Sequence, residues 1–93
     1  MRPLWHDVQQ LVLQNPQQLD CLFELLLTED ERQAIAGRLK VFQLLLDGSL
    51  SQRQIAADYG VSIATITRCS NYLKNMPPER REQIRQLILS ASK

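Results

Sequence analysis

Aromatic residues make up only 5% of the chain, histidine occurs once, cysteine twice and glycine three times. Each shortage removes a class of function. His6, Cys21 and Cys69 are too few and too scattered to form a ligand set at metal-binding spacing. The two cysteines do not make a disulfide framework either, and the expectation is two reduced, mostly buried thiols in a cytoplasmic protein. No phosphate-binding loop occurs and His6 has no evident nucleophile or acid to work with, so no enzyme is read from the sequence. No apolar run approaches the ~18 residues that a membrane span requires. The N-terminus has no signal-peptide pattern, and no membrane partner is expected.

What is present is ordinary globular material. The chain has 93 residues, 44% of them hydrophobic, which predicts a single domain over residues 1–93. A chain this short buries only roughly 60–70% of its surface on folding, and many such proteins are helped by a partner subunit. Charge is uneven along the length. Residues 1–50 carry four Lys/Arg against seven Asp/Glu, a balance of −3, and residues 51–93 carry seven against three, a balance of +4.

Helix punctuation is clear throughout, and period-two alternation is absent. Leu4, Val8, Leu11 and Val12 follow Pro3 at helical spacing and predict a first helix over about 3–14, broken by Asn15-Pro16. A second helix turns Leu19, Leu22, Phe23 and Leu26 inward. Thr28 and Glu31 make a capping box that opens the third helix, with Glu29, Asp30 and Glu31 at the positive end of its dipole. Ile35, Leu39, Phe42 and Leu46 form one apolar stripe on it and Val41, Leu44 and Leu45 another, so this helix is expected to be covered from more than one side before Gly48 stops it. Ser51 and Gln54 form a second capping box, for a helix ending near Tyr59 with Gly60 as its stop. Ser62 caps a fifth helix running to about Lys74, and Pro77-Pro78 starts a sixth with Ile84, Leu87 and Ile88 as a narrow stripe. Six helices and no strand predict an all-α fold.

The stretch SQRQIAADYGVSIATITRCSN at residues 51–71 holds two of these helix starts with one glycine between them, the helix-turn-helix pattern. Ile55 and Ile66 face each other across the corner, Ala56 lies where the second helix comes close, and Gly60 accepts a left-handed turn. Ile63, Ala64 and Thr67 then project from the N-terminal end of the second helix on the side away from Ile66. In DNA-reading proteins that end enters the major groove, where small and β-branched groups touch thymine methyls and a threonine hydroxyl reaches a base edge. Arg53 and Lys74 flank the motif as phosphate or guanine contacts, or stand as solvated charges. A helical corner serving only the core remains the alternative at this point.

Two segments, LLTEDERQAIAGRL at 26–39 and SQRQIAADYGVSIATITRCSNYLK at 51–74, resemble the Trp repressor family. The resemblance implies a six-helix domain with its helix-turn-helix at about 51–74, interlocked with a second copy as an intertwined homodimer. It further implies a repressor of tryptophan-biosynthesis genes that binds a palindromic double-stranded operator, with L-tryptophan as corepressor and no other cofactor. The Trp repressor is itself a type example of this docking and of water-bridged base contacts, so reading heads about one DNA turn apart come with the resemblance. By the same resemblance Arg53, Ser62, Ile63, Ala64, Thr67 and Lys74 meet DNA. Arg38 and Arg68 sandwich the indole, Arg68 takes the carboxylate, Thr28 with the backbone near Leu25 and Leu27 borders the amino group and ring, and Thr65, Phe42 and Tyr72 complete the surroundings. Arg38 falls on the Ile35–Leu39–Phe42 stripe, where a charge is costly unless a partner or a ligand carboxylate meets it.

Four positions depart from the family pattern. Ala56 stands where the family has a DNA-facing lysine, Tyr72 where it has a small serine, Cys69 where it has a glycine, and Phe42 where it has a smaller aliphatic residue. The last three add volume around the ligand, and overpacking of this kind costs about 1–3 kcal/mol if nothing moves. Two alternatives therefore stand beside the leading expectation. One is a DNA binder of this family that is indifferent to tryptophan or senses another ligand; the other is a helical protein-interaction module that pairs through the Ile63 face.

Overall fold

The computed structural model describes residues 4–91, with side chains described for residues 4–89. Pro3, the expected start of the first helix, lies outside the described residues. Six α-helices follow one another without a strand among the described residues: α1 (Leu4–Gln14), α2 (Leu19–Leu26), α3 (Glu29–Asp47), α4 (Gln52–Tyr59), α5 (Ile63–Lys74) and α6 (Pro78–Ala91). The fold is all-α, as the helix punctuation predicts. By its contacts the chain divides into two compact units, one up to Gln33 and one from Ala34 onward.

In the first unit local chemistry sets the breaks. The Asn15 side-chain amide donates to the Leu11 carbonyl at 2.8 Å and ends α1. Pro16 then opens a 3₁₀ turn, Pro16–Gln18, that leads into α2. Sequence periodicity does not show this turn, because three residues are too few to display a period. At the start of α3 the capping box is complete: the Glu31 amide donates to Thr28 Oγ1 at 3.1 Å, and the Thr28 amide to Glu31 Oε1 at 2.8 Å. Leu4, Trp5, Leu13, Phe23, Leu25 and Leu26 are all exposed. Cys21 is exposed too, which corrects the expectation of two buried thiols; Cys69 is buried, and both are free.

In the second unit the core is small and sits under the helix-turn-helix. Val41 of α3, Ile55 of α4 and Ile66 of α5 are fully buried and join Cys69 in one cluster, with Phe42, Leu44, Leu45, Leu50, Ala56 and Val61 packed against it. Each fully buried aliphatic side chain contributes about 1.5–3 kcal/mol, so this trio anchors the corner. Gly48 ends α3 with φ +79°, its amide donating to the Leu44 carbonyl at 3.0 Å. The Val41 stripe of α3 is covered as expected. Of the other stripe only the second half, Phe42 and Leu46, is partly covered: Ile35 is 48% and Leu39 45% exposed in the isolated chain. Arg38 between them is exposed as well, so its charge costs nothing in burial here.

Candidate nucleic-acid interface

The corner is assembled by short-range bonds that fix each helix start. Ser51 Oγ accepts from the Gln54 amide at 3.1 Å, while the Ser51 amide donates to Gln54 Oε1 at 2.9 Å, so α4 begins where the capping box dictates. Gly60 closes α4 at φ +67°, in the left-handed region, and its amide donates to the Ala56 carbonyl at 3.1 Å. Ser62 Oγ accepts from the Thr65 amide at 3.2 Å and donates its own proton to Thr65 Oγ1 at 2.9 Å. Ser62, expected to meet DNA, is thus engaged in starting α5, and Thr65 is engaged with it.

Packing then orients the surface. Ile66 is fully buried, which turns the opposite side of α5 outward. Ile63 (51% exposed), Ala64 and Thr67 are exposed together in the first turns of α5, Ile63 open because it begins the helix one turn before Ile66. Arg53 on α4 and Lys74 in the last turn of α5 are also exposed, Lys74 standing at the negative end of the helix dipole. The Gln52 side chain donates to Ser70 Oγ at 3.2 Å and joins α4 to α5 below this surface. Lys40 Nζ of α3 lies 5.6 Å from the centre of the Tyr59 ring at the end of α4, a cation–π contact.

Four of the residues singled out for a ligand, Arg38, Arg68, Phe42 and Tyr72, lie near Cys69 or against a residue that does. Burial pushes the Cys69 thiol above its ordinary range, and the positive charges of Arg38 and, after it, Arg68 oppose that shift. Phe42 packs on the cluster that contains Cys69, and the Phe42 and Tyr72 rings meet edge to face, centroids 6.2 Å apart at 66°. Leu25, Leu27 and Thr28 belong to the unit that ends at Gln33, where Thr28 serves the cap of α3. Among the described residues, ion pairs join only Arg32 to Glu29 and Arg85 to Glu82, and no His/Cys/Asp/Glu cluster of metal-binding form occurs.

Sequence reasoning missed three contributors: Gln52, the Lys40–Tyr59 pair, and Arg81, whose side chain caps the end of α5. A glutamine right after an N-cap serine is a weak signal of a bond to the next helix. The other two depend on how neighbouring helices are turned, which no local pattern encodes.

Two short helices fixed at a corner, the second presenting small and β-branched side chains, define a helix-turn-helix protein. Over residues 4–88 the chain matches the family described as Trp repressor protein, and it belongs to that family. Proteins named Trp operon repressor homolog are similar along most of it. The one from Vibrio cholerae serotype O1 is 44% identical over 87 residues, covering 91% of this chain and 84% of the relative. That from Vibrio vulnificus is 42% identical over 91 residues, 96% and 89% of the two chains. A third, from Chlamydia trachomatis serovar D, is 45% identical over 76 residues, 82% and 81%. The protein is a transcription regulator of the repressor kind, not an enzyme. No helix among the described residues is long and apolar enough to cross a membrane.

Proposed function

We propose that the 93 residues act as one domain, a DNA-binding transcriptional repressor that grips a palindromic operator as an intertwined homodimer in the cytoplasm. L-Tryptophan is its corepressor, and genes of tryptophan biosynthesis are its targets. The observation that carries this reading is the open Ile63, with Ala64 and Thr67 exposed beside it, at the start of a helix anchored by the fully buried Ile66. An isoleucine left open near a helix start is favourable only when something apolar covers it, and thymine methyls in the major groove provide such a cover. Arg53 and Lys74 serve as phosphate or guanine contacts at either end, and Ser62 acts through its backbone and its cap. The open Ile35 and Leu39 support a second copy of the chain as partner.

For the ligand, the two guanidiniums of Arg38 and Arg68 beside Cys69 suit a carboxylate-bearing aromatic compound, with Phe42 and Tyr72 near by; Thr65, Leu25, Leu27 and Thr28 are assigned to it by the family resemblance alone. The relatives' name, Trp operon repressor homolog, supports tryptophan. Ligand binding favours the DNA-competent arrangement of the two heads, a shift between two states. The Phe42–Tyr72 contact favours a second reading, in which these rings fill the site themselves and the protein binds DNA without tryptophan.

Calorimetric titration with L-tryptophan, paired with a mass determination, separates the two. Saturable binding at one site per chain of a dimer supports the corepressor; no heat at millimolar ligand supports the self-filled site. Duplex binding tests the shared claim, since affinity must fall steeply with salt. Arg53→Ala is expected to weaken that binding, lower the salt slope by about one and leave the fold intact. Unchanged affinity and slope would remove Arg53 from the interface.

A further inference from the structure

Arg81 is the fourth residue of α6, just past the Met76–Pro77 turn that follows α5. Its amide donates to the Pro77 carbonyl at 3.0 Å and closes the first turn of α6. Its side chain reaches back the other way. Nε donates to the Leu73 carbonyl at 2.9 Å, and a terminal guanidinium nitrogen donates to the Met76 carbonyl at 3.3 Å, both in partly buried surroundings. Leu73 lies in the last turn of α5, whose carbonyls have no later amide of the helix to accept from. A cation there also meets the negative end of the α5 dipole. The Leu73 and Met76 side chains are buried, so the turn is packed as well as bonded. Arg81 forms neither of the ion pairs found among the described residues, which leaves its charge directed at these two carbonyls.

We infer that Arg81 is a positioning residue for DNA recognition: its guanidinium locks α5 and α6 into one stiff corner and so fixes the direction in which α5 presents Ile63, Ala64 and Thr67. The inference rests on the DNA-binding reading above. Arg81 touches no base or phosphate in this scheme; it acts through the far end of the helix that does. Lysine is no equivalent, because its single nitrogen cannot stand at both the Nε and the terminal position from which arginine serves the two carbonyls.

The test compares wild type, Arg81→Lys and Arg81→Met, each as the full chain, on a duplex selected from a random library by the wild type and on a scrambled duplex. A charge-assisted hydrogen bond corresponds to roughly tenfold in an equilibrium, so Arg81→Lys is expected to reduce the selected-over-scrambled ratio by about that factor. Because lysine keeps the charge, such a fall is not a long-range electrostatic loss. Arg81→Met is expected to fall further, with faster amide hydrogen exchange over residues 71–77. A merely structural Arg81 would lower the melting temperature and leave the ratio of the folded variants at the wild-type value, and that result overturns the inference. If Arg81→Met does not fold, Arg81→Lys alone decides, by the same criterion. A wild type that binds no duplex overturns the DNA reading itself, and this inference with it.

Discussion

Tyr72 sits on α5 with 55% of its surface exposed and one edge against Phe42, where the family resemblance implies a small serine. A ring in place of a hydroxymethyl group changes volume where Arg38 and Arg68 bring their charges to Cys69. Relief of overpacking is worth about 1–3 kcal/mol, or roughly ten- to a hundredfold in affinity. Tyr72→Ser is therefore expected to tighten L-tryptophan binding by that order in a calorimetric titration. A weaker complex would instead make Tyr72 a ligand contact, its hydroxyl taking the part of the serine. Cys69 adds bulk at the same place but no reactivity, since burial holds it as the neutral thiol.

At the scale of single helices, most boundaries were legible because each is set by residues three or four apart. Thr28 with Glu31 and Ser51 with Gln54 start their helices by reciprocal bonds, and Gly60 ends α4 by its left-handed backbone. The cost of a side chain at Gly60 is purely conformational, because a Cβ there meets nothing within 4 Å. Gly60→Ala is expected to lower unfolding free energy by about 1–2 kcal/mol in a denaturant titration, with Asn tolerated better. An unchanged midpoint would mean that the turn relaxes out of the left-handed region. The burial of Ile66 and the exposure of Ile63 and Thr67 in the first turns of α5 were also legible. What escaped was whatever depends on the partner or the angle of a helix. Arg81 looks like any surface arginine until the turn before it is known, and the open state of Ile35 and Leu39 belongs to the packing of one chain rather than to its pattern.

The described residues combine a small core with large apolar side chains left open, which the proposed homodimer would cover. Below about 100 residues a chain buries a modest share of its surface, and Val41, Ile55 and Ile66 are the only large side chains fully buried among the described residues. The homodimer reading makes stability depend on protein concentration. Leu39→Glu is expected to lower the mass seen by sedimentation toward the monomer and to abolish the rise of melting temperature with concentration. A variant that stays dimeric would move the interface away from this stripe of α3.

The side chains that hold the corner and those assigned to the groove are separate sets. Val41, Ile55 and Ile66 are sealed inside, whereas Arg53, Ile63, Ala64 and Thr67 are exposed and belong to no part of the core cluster. Surface substitutions of that kind usually shift stability by no more than about 0.5 kcal/mol. On the DNA-binding reading, operator preference and folding therefore rest on different residues. On that reading, target genes are exchangeable by changes at Arg53, Ile63, Ala64 and Thr67 while the same three aliphatic residues keep the corner shut.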